Sequence, residues 1–155
     1  MFIQKINNYL GVPVLTLIVL SLLGVPRVIL HDLSIIEEGS TVNSLLVFIP
    51  IIIWLAYIVL KNVNKPFLSL LLTGFFYGIF LAIVHQILWN VAMDTSIQLG
   101  GNFSNLPQAV SNIIVRTFAF FSGVTTGIVV GAITGAVGSL LNFVKKRFTP
   151  RQNKD

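Results

Sequence analysis

The sequence predicts an all-α integral membrane protein: a four-helix bundle of four transmembrane helices, both termini cytoplasmic, forming one membrane domain over residues 1–155. Three observations predict it. Hydrophobic residues make up 55% of the chain and charged residues 10%, against about 25% charged in an ordinary soluble domain, so little polar surface exists to cover a water-facing globule. Uncharged apolar runs recur at about 20 residues, the length a helix needs to cross about 30 Å of hydrocarbon. Within them apolar and polar residues do not alternate: LLVFIPIIIWLAYIVL is apolar on every side, as a lipid-embedded helix is and a barrel strand is not.

Five uncharged runs are long enough: Ile6–Pro26, Gly39–Leu60, Pro66–Met93, Thr95–Val115 and Thr117–Val144. The fourth fails on content, because TSIQLGGNFSNLPQAVSNIIV mixes amides and hydroxyls with Gly100, Gly101 and Pro107, and unpaired polar groups are costly in hydrocarbon. Four spans remain, at roughly 9–29, 43–60, 67–90 and 117–143. They leave outer loops at roughly 30–42 and 91–116, a cytoplasmic loop at 61–66 and a basic cytoplasmic tail at 144–155.

The first span reads as a retained anchor, since only Lys5 precedes it and no small-x-small cleavage site follows before Arg27. Two Gly-Val-Pro tripeptides, ending at Pro13 and Pro26, bracket it, a repetition read as coincidence. Pro50 is expected to kink the second span near its middle, freeing the carbonyl of Leu46. Before the fourth span, Asn105 reads as an N-cap and Pro107 as an early helical proline. That helix is therefore expected to start near Leu106, with LPQAVSNIIVR lying along the outer interface as a lid or a surface segment.

Basic residues set the orientation, because Lys and Arg accumulate in short cytoplasmic segments. Lys5, Lys61, Lys65, Lys145, Lys146, Arg147, Arg151 and Lys154 fall on one side, and only Arg27 and Arg116 on the other. The outer side also holds Asp32, Glu37, Glu38 and Asp94, so the net charge of +5 is a cytoplasmic excess facing an acidic outer end. The expected location is the cell membrane, with the lipid bilayer as surroundings. Topology alone accounts for the basic tail, and no nucleic acid is expected.

In the fourth span a small residue recurs every four positions: Ala119, Gly123, Gly127, Gly131, Gly135 and Ser139. Residues at this spacing line one side of a helix and leave a groove that another helix must fill, gaining dispersion contacts and weak Cα–H···O bonds. The third span offers Gly74, Gly78 and Ala82, preceded by Ser69 and Thr73, as a partner for internal antiparallel packing. The alternative is a second copy or another membrane protein. Thr125, Thr126 and Thr134 can return their hydroxyls to their own helix. No Asp, Glu, Lys or Arg lies mid-span, which argues against a proton pump or antiporter built on a buried carboxylate.

A site, if there is one, belongs at the outer boundary, where Arg27, His85, Trp89 and Arg116 fall near one level with His31, Asp32 and Asp94 just above; together with Gln86 these are the candidate ligand-binding residues. His85 lies three after Ala82 and seven after Gly78, and so shares their helix face and is expected to point inward. Arg27 and His31 stand one turn apart if the first helix continues past Pro26. Cysteine is absent, which excludes thiolate metal sites and thiol chemistry, and His31-Asp32 lacks metal-ligand spacing, so no metal or cofactor is expected. No nucleophile elbow, phosphate-binding loop, zinc-protease motif or dinucleotide fingerprint is present, hence no catalytic residue is assigned. Two functions fit: a non-enzymatic oligomerising or partner-binding unit, or minor transport component, packed through the glycine stripe; or an enzyme or binding protein for a lipid or amphipathic small molecule at the outer cluster.

Overall fold

A computed structural model describes residues 2–92 and 99–148. Among these residues every regular element is helical, and four stretches are long and apolar enough to cross a membrane: Val14–Asp32, Thr41–Leu60, Pro66–Ile87 and Gln108–Phe148.

The first expected span begins later than the uncharged run suggests. Helix α1 (Phe2–Leu10) ends at Gly11, whose φ of +78° lies in the left-handed region that ends helices, and whose N–H donates to the carbonyl of Asn7 at 2.8 Å. Val12 is buried, Pro13 is extended, and α2 (Val14–Leu22) starts with the Asn7 side-chain oxygen accepting from the Val14 amide at 2.9 Å. Leu10 and Val12 pack with Val63, and the Lys65 amide donates to the carbonyl of Leu10 at 3.2 Å. Thus α1 is docked on the connection between the second and third spans.

The second Gly-Val-Pro does related work. After α2 the chain bends at Gly24 and continues as α3 (Val25–Asp32). Pro26 has no N–H for the previous turn, and the Tyr77 ring leans so close that a Cβ on Gly24 would lie 2.5 Å from its Cε2. In this bend the Leu20 carbonyl accepts from the buried Trp54 indole at 2.7 Å. Trp54 in turn meets Tyr77 edge-on, with centroids 5.8 Å apart. The first tripeptide is therefore a break and the second a bend, with Gly11 left-handed and Gly24 in the right-handed helical region.

Helix α4 (Thr41–Leu60) is capped by Ser40, whose hydroxyl accepts from the Asn43 amide at 3.2 Å. Pro50 sits inside it without ending it, and its buried residues are Pro50, Trp54 and Ile58, one narrow stripe. Most of its apolar surface, including Phe48, Ile52 and Leu60, faces outward.

The densest packing joins α5 (Pro66–Ile87) to α7 (Gln108–Phe148). The pair is antiparallel: Gly135 lies against Phe67, Gly131 against Gly74, Gly127 against Gly78, and Gly123 against Ala82. A Cβ on Gly131 would stand 2.9 Å from the Leu71 carbonyl oxygen and 3.0 Å from the Gly74 Cα. The glycines therefore bring backbone onto backbone.

The stripe does not keep its register to the ends. Four residues at about 100° each overshoot a full turn by about 40°, so five such steps carry the line roughly 200° around the helix. The buried face follows the helix instead, from Gly123, Gly127 and Gly131 through Thr134 and Gly135 to Gly138 and Asn142. Ser139 is only half-buried, and Gly138 replaces it against Leu70 and Leu55.

Two further boundaries differ from expectation. The third span ends at Ile87, and Trp89 lies beyond a break at Leu88 in the short helix α6 (Trp89–Ala92). Helix α7 opens at Gln108 with the carbonyl of Pro107, not Asn105, accepting from the Val110 and Ser111 amides.

Candidate functional site

The two ends of the helical assembly differ in chemistry. At one end α1 meets the α4–α5 connection, Lys65 stands over the Tyr9 ring at 5.1 Å, and the Lys145 ammonium donates to the Val59 carbonyl at 2.9 Å near the end of α4. Cations there meet the negative end of a helix dipole. The opposite end gathers the residues that the sequence sets apart.

Because the helix does continue past Pro26, α3 carries Arg27, His31 and Asp32 to that end. Asp32 is 5% exposed, and its carboxylate is the centre of the cluster. One carboxylate oxygen accepts from Nδ1 of His85 on α5 at 2.5 Å, while the other lies 3.5 Å from Nδ1 of His31. Nε2 of His31 stands 3.1 Å from the exposed Glu38. A chain of polar groups thus runs from the surface at Glu38 through His31 and Asp32 to His85. His85 is inward as expected, with one third of its side chain exposed.

Arg27 donates through Nε to the Asn43 side-chain oxygen on α4 at 2.9 Å. Arg116 on α7 is fixed differently. Its Nε donates to the Gln86 side-chain oxygen at 3.1 Å, a terminal nitrogen donates to the Gln86 carbonyl at 2.9 Å, and the Gln86 amide donates back to the Arg116 carbonyl at 3.0 Å. Its guanidinium also lies 5.3 Å from the centroid of the buried Trp89 ring. Gln86 and Arg116 therefore bracket α5 to α7 where the glycine seam stops.

Where the seam stops, a cavity of about 340 Å³ opens between α3, α5, α6 and α7. Arg27, His85, Ser122 and Thr126 supply its polar wall, and Leu81, Trp89, Ala92, Ala119 and Gly123 the rest. Ala119, which the four-residue spacing assigns to helix packing, is a wall of this hollow. The small residues leave space that α5 no longer fills. On the far side of His85 lies a second cavity of about 430 Å³, lined by His31, Asp32, Glu37 and Glu38 among others. His85 belongs to both walls.

Of the predicted site residues, the structure brings together Arg27, His85 and Trp89 around the first cavity and His31, Asp32 and His85 around the second. Gln86 and Arg116 hold each other and line neither, so the three groups Arg27, His85 and Arg116 do not converge on one point. Asp94 lies outside the described residues, as do Arg151 and Lys154 of the tail. Sequence reasoning missed Asn43 as the Arg27 partner and Ser122 as a wall residue. Position near a span end was a signal for Asn43, whereas Ser122 had none. Among the described residues no three His, Asp or Glu side chains are grouped to hold a metal ion.

Comparison with known protein families, curated proteins and solved structures finds no match. Fold and site together define a class: all-helical among the described residues, with four helices long and apolar enough to cross a membrane and a buried carboxylate paired with a partly exposed imidazole at one end.

Proposed function

We propose that this chain is a multi-pass cell-membrane protein with both termini cytoplasmic, and that it binds an anionic amphipathic molecule at its outer end without covalent chemistry. One observation carries the reading: Arg27 and His85 share a largely apolar cavity with Trp89, Leu81, Ala92 and Ala119. A cationic side chain at the rim of an apolar hollow suits a ligand with an anionic head and an apolar tail. The separation of basic and acidic ends supports the orientation. A self-associating role through the stripe finds less support, since the glycines from Gly123 to Gly135 are covered by α5 of the same chain.

The test uses the protein in detergent micelles and a brominated alkyl sulfonate, whose bromine quenches a nearby indole. Trp89 lines the cavity while Trp54 is enclosed in the core. Saturable quenching is expected, weakened about tenfold or more by Arg27→Gln, the worth of a charge-assisted hydrogen bond. Quenching that is non-saturable, or equal in wild type and Arg27→Gln, overturns the proposal.

A further inference from the structure

Resting on that anion-binding reading, we infer that the cavity takes its anion together with a proton, which is held on His85. The argument starts from the tautomer. Asp32 is almost fully enclosed and its carboxylate accepts from Nδ1 of His85 at 2.5 Å, so the single hydrogen of the neutral ring is placed on Nδ1. Nε2 is then the ring's remaining polar atom. In the neutral ring it carries a lone pair, which repels an anion; in the protonated ring it carries an N–H, which donates to one. The same side chain is a poor or a good anion ligand according to one proton.

The position of His85 puts it on both cavities. It forms part of the wall of the inner cavity, with Arg27, and of the second cavity, with His31, Glu37 and Glu38. Glu38, His31 and Asp32 stand in line on the Nδ1 side of the ring, at 3.1 Å and 3.5 Å, and the added proton binds the lone pair of Nε2 from water.

The charged and titratable surroundings of His85 are few. From α3 they are Asp32, His31 and Arg27, and from the turn before α4 they are Glu37 and Glu38. From α7 the nearby cation is Arg116, already paired with Gln86 one residue from His85. Helix α4 has no Asp, Glu, Lys, Arg or His, and Asp94 lies outside the described residues. An anion seated in the cavity and a proton on the His85 ring attract each other, so binding and protonation assist each other.

The experiment measures binding of the same alkyl sulfonate by Trp89 quenching at about pH 5.5 and about pH 8, a range over which imidazole changes charge and a sulfonate does not. Wild type is expected to bind about tenfold more tightly at the lower pH. His85→Gln keeps an amide in the wall and is expected to bind with the same affinity at both. Asp32→Asn, a positioning variant, should lose most of the pH difference, and a thermal or SDS unfolding curve identifies any variant that fails to fold. Equal wild-type affinity at the two pH values, with Arg27→Gln still weakened, overturns the proton coupling and leaves the cavity reading intact. A pH difference that persists in His85→Gln also overturns it. Absence of saturable binding at either pH overturns the cavity reading and the coupling with it.

Discussion

A single methyl group at Gly78 should loosen the α5–α7 seam measurably. A Cβ there would stand 2.8 Å from the Val124 carbonyl oxygen and 3.0 Å from both the Gly123 carbonyl oxygen and the Val124 Cα, whereas ordinary contact begins at 3.4 Å. All three neighbours are backbone atoms of a helix and cannot rotate aside, so the helices must part by about 0.6 Å at this level. A gap of that size forfeits roughly a quarter to a half of the dispersion well at each contact, and overpacking of this kind costs about 1–3 kcal/mol. Against it, alanine favours a helix over glycine by about 0.5–1 kcal/mol. The net expectation for Gly78→Ala is a loss of about 1–2 kcal/mol. Because the chain has no cysteine, two introduced cysteines on the exposed faces of α5 and α7 can carry a fluorophore pair, and their separation can be followed through an SDS titration. Gly78→Ala should unfold at a lower SDS fraction, while Ala136→Val, which adds methyl groups on an exposed face of α7, should not. The reasoning is refuted if Gly78→Ala unfolds at or above the wild-type midpoint, or if Ala136→Val costs as much.

Trp54→Phe retains most of the core volume but removes the indole hydrogen bond to the Leu20 carbonyl, which keeps only the Leu23 amide as donor at the α2–α3 bend; a loss of about 1 kcal/mol is expected in the same titration. Gln86→Ala removes two of the three hydrogen bonds that fix Arg116, and should cost about 1–3 kcal/mol. It should also change the Trp89 emission as the guanidinium leaves the ring, while sulfonate binding at the Arg27 cavity persists, because neither Gln86 nor Arg116 lines it.

Much of the fold was legible because it is written locally. Uncharged runs gave four long apolar helices, and Gly, Pro and Ser gave most of the interruptions, although the meaning of Gly11-Val12-Pro13 emerged only with the Asn7 cap and the Leu10–Lys65 hydrogen bond. The glycine line was legible in its middle and misleading at its ends, since a spacing of four matches a 3.6-residue turn for only a few repeats. Ala119 and Ser139 lie where the mismatch has accumulated. For the site, level along the helix was readable and partnership was not. Counting residues put Arg27, His85 and Arg116 at one height, but which carboxylate or amide each one meets depends on how the helices are turned about their axes.

By itself, then, the sequence determined the helical class, the number of long apolar helices, the separation of basic and acidic ends, and the seam face of α5. These follow from hydropathy, charge and spacing within single segments. Only the tertiary structure decided that Asp32 holds His85 across 53 positions of sequence, that Gln86 claims Arg116 across 30, and that Arg27 is left on a cavity wall beside Trp89. The physical reason is that hydrogen bonds at this end join different helices, and how those helices face one another, as α5 faces α7 through Gly74 and Gly78, is encoded by no single segment.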